Sequence, residues 1–188
     1  ADVDGGDSGY SSDIVLNAGG KLDLLASRNA TTFNYALVGH TAYYNVRGNH
    51  AGDIDVNTGT VGGLADYGIQ LVAGVRDDSG ATSSSYYDFA AIGHRGHSNG
   101  LGGGDLQGDI TVNVERGGLV LQGGDHGGST GDVRLHAAQI GHGGYNSDGS
   151  KTGDVAVSVE NDISLVLGNA RQSTVLIGHG GFSHDGSI

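Results

Sequence analysis

The sequence predicts an all-β fold, a β-helix (β-solenoid) of about four coils with three strands in each. Three observations carry that expectation: short apolar runs of two-residue period, 38 glycines in 188 residues, and an imperfect unit that occurs four times. Average glycine usage is roughly 7%, so this backbone must bend tightly at many places. Collagen is excluded, because there is no proline and no strict Gly-X-Y period.

Every unit opens on an acidic strand start: "SDIVLN" at 12–17, "GDIDVN" at 52–57, "GDITVN" at 108–113 and "GDVAVS" at 153–158. The two-residue period puts Ile14 and Leu16, Ile54 and Val56, Ile110 and Val112, and Val155 and Val157 on one face. The alternate positions Val15, Asp55, Thr111 and Ala156 tolerate charge and so face solvent. A second strand turns Leu22 and Leu24, Ile69 and Leu71, Leu119 and Leu121, and Ile163 and Leu165 inward. The third ends on Gly-His, in "YALVGH", "FAAIGH", "AAQIGH" and "TVLIGH". Its inward residues are Ala36 and Val38, Ala90 and Ile92, Ala138 and Ile140, and Val175 and Ile177.

Three short strands make one layer and cannot bury such a face alone, whereas stacked units can. The units fall at approximately 12–51, 52–107, 108–152 and 153–188, in a single domain. Their variable length lies in Gly/Ser/Asn/Asp-rich loops such as "RDDSGATSSSYYD". A β-sandwich is the runner-up fold, but it leaves the repeated order of three unlike strands without a reason. The pattern starts and stops mid-unit with no polar cap, so a fragment of a longer rod is expected.

His40, His94, His142 and His179 end the third strands, and "IGHGG" returns at 140–144 and 177–181. Stacking predicts a structural ladder, in which each imidazole donates from one nitrogen and accepts at the other. The competing reading is a metal site completed by Asp148, Asp185 or His184. The loops after His40 and His94 share no ligand spacing, so no metal site is assigned. Asp13, Asp53, Asp109 and Asp154 form a second column, expected to accept hydrogen bonds from turn N–H groups. Gly-rich loops with scattered Asp allow weak calcium binding at no residue that can be named; otherwise no cofactor is implied.

Tyr43 and Tyr44, and Tyr86 and Tyr87, are the ligand-contact candidates, since aromatic rings in loops offer flat faces to sugars or proteins. Tyr145 and Phe182 occupy matching places and are expected to pack. An enzyme is not expected. A repeated carboxylate is a poor catalyst, and neither a nucleophile elbow nor a phosphate loop is present; Arg76, Asp77 and Asp78 in the longest insertion would be the candidates otherwise.

The charge of −12 excludes an electrostatic nucleic-acid footprint. Lack of cysteine removes disulfides and thiol chemistry, and no apolar run reaches the 18 residues of a membrane span. Units of the form "GDITVNVERGGLVLQGG…AAQIGHGG" resemble the repeats of very large secreted bacterial exoproteins of the filamentous haemagglutinin type. The resemblance covers essentially the whole chain. It implies a right-handed parallel β-helix, two-partner secretion through an outer-membrane transporter, and an extracellular or cell-surface location. The function implied is the structural stalk of an adhesin, in adhesion, aggregation or biofilm-matrix attachment to exopolysaccharide or to a host or bacterial surface. The alternatives are loops that bind a polysaccharide or protein directly and, less favoured, a β-helical polysaccharide-processing enzyme.

Overall fold

The computed structural model describes residues 9–26, 34–41, 48–63, 68–74, 85–97, 104–125, 133–134, 136–145 and 149–181, without the side chains of 85–86, 96–97 and 133–134. These residues contain strands and turns but no helix, hence no helix long and apolar enough to cross a membrane. All strand pairing among them is parallel.

The three strands read from sequence form three four-stranded sheets. The first sheet joins Ile14–Ala18, Ile54–Thr58, Ile110–Val114 and Val155–Val159 in chain order. The second joins Lys21–Leu25, Gly68–Val72, Leu119–Gln122 and Ile163–Val166. The third joins Tyr35–Val38, Phe89–Ile92, Ala137–Ile140 and Thr174–Ile177. Register is exact in the sense that matters: Ile14 pairs with Ile54, Ile54 with Ile110 and Ile110 with Val155. Side-chain period fixes this, because a one-residue slip would expose every inward aliphatic at once.

A fourth sheet was not read from the sequence. Two-residue strands at Tyr10–Ser11, His50–Ala51, Leu106–Gln107 and Lys151–Thr152 pair just ahead of each acidic start. Each repeat therefore contributes four strands to four-stranded sheets instead of the three expected. Two residues are too few for periodicity to register, and these four pairs share no composition. The segment after the Gly-His corner adds a further small pair, Arg95–His97 with Gly143–Tyr145.

One apolar cluster draws on the inner faces of the first three sheets, with Ile54, Val56, Leu71, Ile92, Ile110, Leu121 and Ile140 all fully buried. Val15, on the alternate face, is 63% exposed. The last repeat departs from expectation. Ile163 and Leu165 sit in register with Leu119 and Leu121, yet they are 47% and 52% exposed. Their strand lies at the sheet's edge, but so does that of Leu22 and Leu24, which stay partly buried against the core; nothing in the structure explains the difference.

Gly93 shows why the corner demands glycine. Its φ is +144°, and a Cβ there would overlap the carbonyl oxygen of Gly141 in the next repeat. Gly93→Ala should therefore lower stability by about 2–4 kcal/mol, combining backbone strain with a steric clash. Gly63 also has positive φ, +83°, but nothing lies within 4 Å of its Cβ position. Gly63→Ala should cost about 1 kcal/mol. Equal shifts of the two urea midpoints would show that the close approach of the repeats contributes nothing.

Candidate functional site

The Gly-His corners bring His40, His94, His142 and His179 into one column. Adjacent ring centroids are 4.9, 4.8 and 4.8 Å apart, with interplanar angles of 18°, 4° and 11°. That separation is the spacing of hydrogen-bonded strands, so the imidazoles stack because the backbone does.

Hydrogen bonding fixes the protons. The backbone N–H of His40 donates to Nδ1 of His94 at 3.1 Å, that of His94 to His142 at 3.0 Å, and that of His142 to His179 at 3.1 Å. A backbone amide only donates, so each of these Nδ1 atoms is an unprotonated acceptor and Nε2 carries the hydrogen. Nε2–H then donates across the repeat to a carbonyl beside the acidic start. His94 reaches Gly52 at 2.9 Å, His142 reaches Gly108 at 2.8 Å and His179 reaches Gly153 at 2.8 Å. His40 stands 2.9 Å from the Ser12 carbonyl. Each imidazole thus clips the end of a third strand to the start of the first strand of its own repeat. In His94, His142 and His179 both ring nitrogens are engaged.

Only the neutral ring fits this arrangement, and the interior favours it. Burial is the largest influence holding His142 at about 4, against an upward pull from its bond to Gly108. Burial likewise lowers His94, and it takes His50 to about 4 with help from His94 and His40.

The carboxylates form a second ladder at the neighbouring corner. Asp13 Oδ1 accepts the Asp53 N–H at 3.0 Å, Asp53 that of Asp109 at 2.9 Å, and Asp109 that of Asp154 at 2.8 Å. The donor at each step is the N–H of the equivalent Asp at the strand entrance of the next repeat. Asn49 and Asp105 extend the same device to the fourth sheet, accepting from Asp105 N–H and Ser150 N–H at 2.9 Å each.

Tyr43, Tyr44, Phe182, Asp148, His184, Asp185, Arg76, Asp77 and Asp78 lie outside the described residues. Tyr86 belongs to the strand Ser85–Tyr86. Tyr87 has a left-handed φ of 64°, and its ring meets that of Tyr145 at 4.6 Å and 55°. Among the described residues no three His, Asp or Glu side chains gather in a form that could hold a metal ion.

Several buried polar groups escaped the sequence reading, the fully buried Lys151 among them. His50, 1% exposed, stacks on Tyr10 at 5.6 Å, and neither of its ring nitrogens has a hydrogen-bond partner. Asp88 accepts from Asn34 Nδ2 at 2.8 Å and lies 3.5 Å from His136 Nδ1. Arg95, 3% exposed, places its guanidinium carbon 4.3 Å above the Phe89 ring centroid and donates to Gln139 Oε1 at 3.0 Å. Burial brings Arg95 down to about 10, so it remains a cation at neutral pH. A detectable signal existed for Arg95: it follows His94 where the other units have Thr41, Gly143 and Gly180.

Comparison of the chain with protein-family models, with curated proteins and with solved structures returns no match.

Removing a clip should be costly. His142→Ala strands the His94 N–H and the Gly108 carbonyl in the interior, a loss of about 2–5 kcal/mol readable as a lower denaturant midpoint. Acid should act on the same groups. Folded His50, His94 and His142 all titrate below the ordinary 6.5, so the unfolded chain takes up protons first as pH falls. Their contribution is complete above pH 6.5 and drains away between there and about 4. Stability curves that stay flat over that window contradict the neutral ladder. His50→Leu, which copies Leu106 at the paired position, should raise stability by about 1–3 kcal/mol by removing two unsatisfied nitrogens. It should also shallow the acid loss; a destabilised variant would reveal a partner for His50.

Proposed function

We propose that this chain is a segment of a right-handed parallel β-helix, serving as the stalk of a secreted or cell-surface bacterial adhesin. The observation that carries the rod is the pairing of every strand with its counterpart one repeat along, in four sheets at once. One apolar cluster common to three sheets and a histidine clip closing each repeat are what a wound chain requires. Parallel strands joined through a crossover take the right-handed path in nearly all known cases, which supports that hand here.

The stalk role follows from what the ladders do. Histidine and aspartate are engaged in holding repeat to repeat, and their chemistry is the same at every level. Such a structure sets distance and stiffness; it does not single out one reacting group. The repeat resemblance to secreted exoproteins supplies the biological setting: export by a partner transporter of the outer membrane, then display in adhesion, aggregation or attachment to a biofilm matrix.

Two measurements test this reading. Four repeats one strand spacing apart stand only roughly 20 Å tall, so small-angle scattering should return a squat particle that lengthens by roughly one strand spacing for each repeat added to the chain; a profile without that increment overturns the β-helix. Antibodies raised against the chain should label intact cells that make it, and deleting its coding region should weaken their aggregation or attachment. Labelling that needs lysed cells, or attachment untouched by the deletion, overturns the adhesin.

A further inference from the structure

The outer face of the third sheet holds a feature that breaks the repeat. Tyr35, Phe89, Ala137 and Thr174 share one register row there, and Leu37, Ala91, Gln139 and Leu176 share another. An outward face should be wet, yet Phe89, Ala91 and Gln139 are buried. The segment beyond the Gly-His corner turns back over them: Arg95 lies across Phe89, and a Cβ at Gly143 would crowd the Gln139 amide. Between this cover and the sheet is a cavity of about 70 Å³, lined by Phe89, Arg95, Gln139, Gly144, Thr174 and Leu176.

Arg95 is the cation of this cavity and has no carboxylate beside it among the described residues. Its one side-chain hydrogen bond there goes to the neutral Gln139. Gln139 is itself held by its Nε2 donating to the carbonyls of Gly178 at 3.0 Å and Gly180 at 3.2 Å. The guanidinium is thus held over an aromatic ring, with an amide anchored on one side. Burying a cation without a counter-charge is expensive, and the rod does not need it, since the paired position in the next repeat is Gly143. A guanidinium fork matches a carboxylate in two parallel hydrogen bonds. The cavity has room for about five water-sized groups, enough for a carboxylate and the carbon that bears it. Ala137 and Leu176 supply an apolar wall for that carbon.

We propose that the cavity beside Arg95 is a binding site for a small monocarboxylate, presented either by a free organic acid or by a uronic-acid sugar whose ring stays at the rim. The site occurs once in the described chain, spanning the second to the fourth repeats, and it holds whether the rod is only a spacer or also an adhesive face. Its occupant contributes the negative charge that Arg95 lacks, so binding also stabilises the fold.

Titration of the isotope-labelled whole chain, followed by NMR, tests this with sodium acetate and sodium glucuronate as probes, and with glucose and sodium sulfate as controls. Saturable shifts of the Gln139, Gly144 and Thr174 amides with either carboxylate are expected, and the tighter of the two identifies the source. Arg95→Gln should weaken binding at least about tenfold. Because Arg95→Gln can also disturb folding, Thr174→Leu provides a second variant that fills the cavity and keeps the cation; it too should abolish the shifts. No saturation at tens of millimolar, sulfate binding tighter than both carboxylates, or unchanged binding in a folded Arg95→Gln or in Thr174→Leu overturns the site.

Discussion

The structure depends on equivalent residues lying one strand spacing apart at every level. Once Ile14, Ile54, Ile110 and Val155 are in register, whatever chemistry a position carries is multiplied into a column. Aliphatic columns exclude water and add. Carboxylate and imidazole columns are harder, because like groups stack on like. The chain resolves both by making each side chain serve the backbone of its neighbour: Asp accepts an amide of the following repeat, and His accepts an amide of the preceding one. Neither ladder relies on contact between charges of opposite sign.

The imidazole is well matched to the second task because it is two-faced and uncharged. In His142 one nitrogen accepts a hydrogen bond from an amide of the level before, and the other donates one to a carbonyl across the same level. Asparagine or glutamine could bond at both ends, but would not stack as a rigid ring at 4.8 Å. The arrangement also explains why glycine accompanies histidine. The corner brings the carbonyl of one repeat into the space a Cβ would occupy in another, and that approach sets the rings face to face.

The sequence made the three long strands, their inward faces and the two polar columns legible, because each repeats with a fixed period at a recognisable landmark. Val15 outward and Ile54 inward follow from alternation alone. What it hid has one cause: a position that occurs once carries no pattern. His50 fills a slot where the neighbouring repeats have Tyr10, Leu106 and Lys151, so no column announced it. Arg95 and Gln139 meet across two repeats, and only the cover over the third sheet gives them a shared interior. The exposure of Ile163 and Leu165 is likewise something that periodicity does not encode. Which repeat supplies the Asp donors stayed hidden for a similar reason. A local turn and a neighbouring level offer the same amide, and only the stack distinguishes them.

The histidine clips join residues 28, 42, 34 and 26 positions apart, yet their lengths differ by only 0.1 Å. The closure is indifferent to how much chain it encloses. Insertions can therefore accumulate between the fixed points without altering the frame that carries them. Surface diversification and mechanical integrity are uncoupled in such a design, and novelty such as the Arg95 cavity can be assembled from side chains of adjoining levels while the frame beneath them stays as it was.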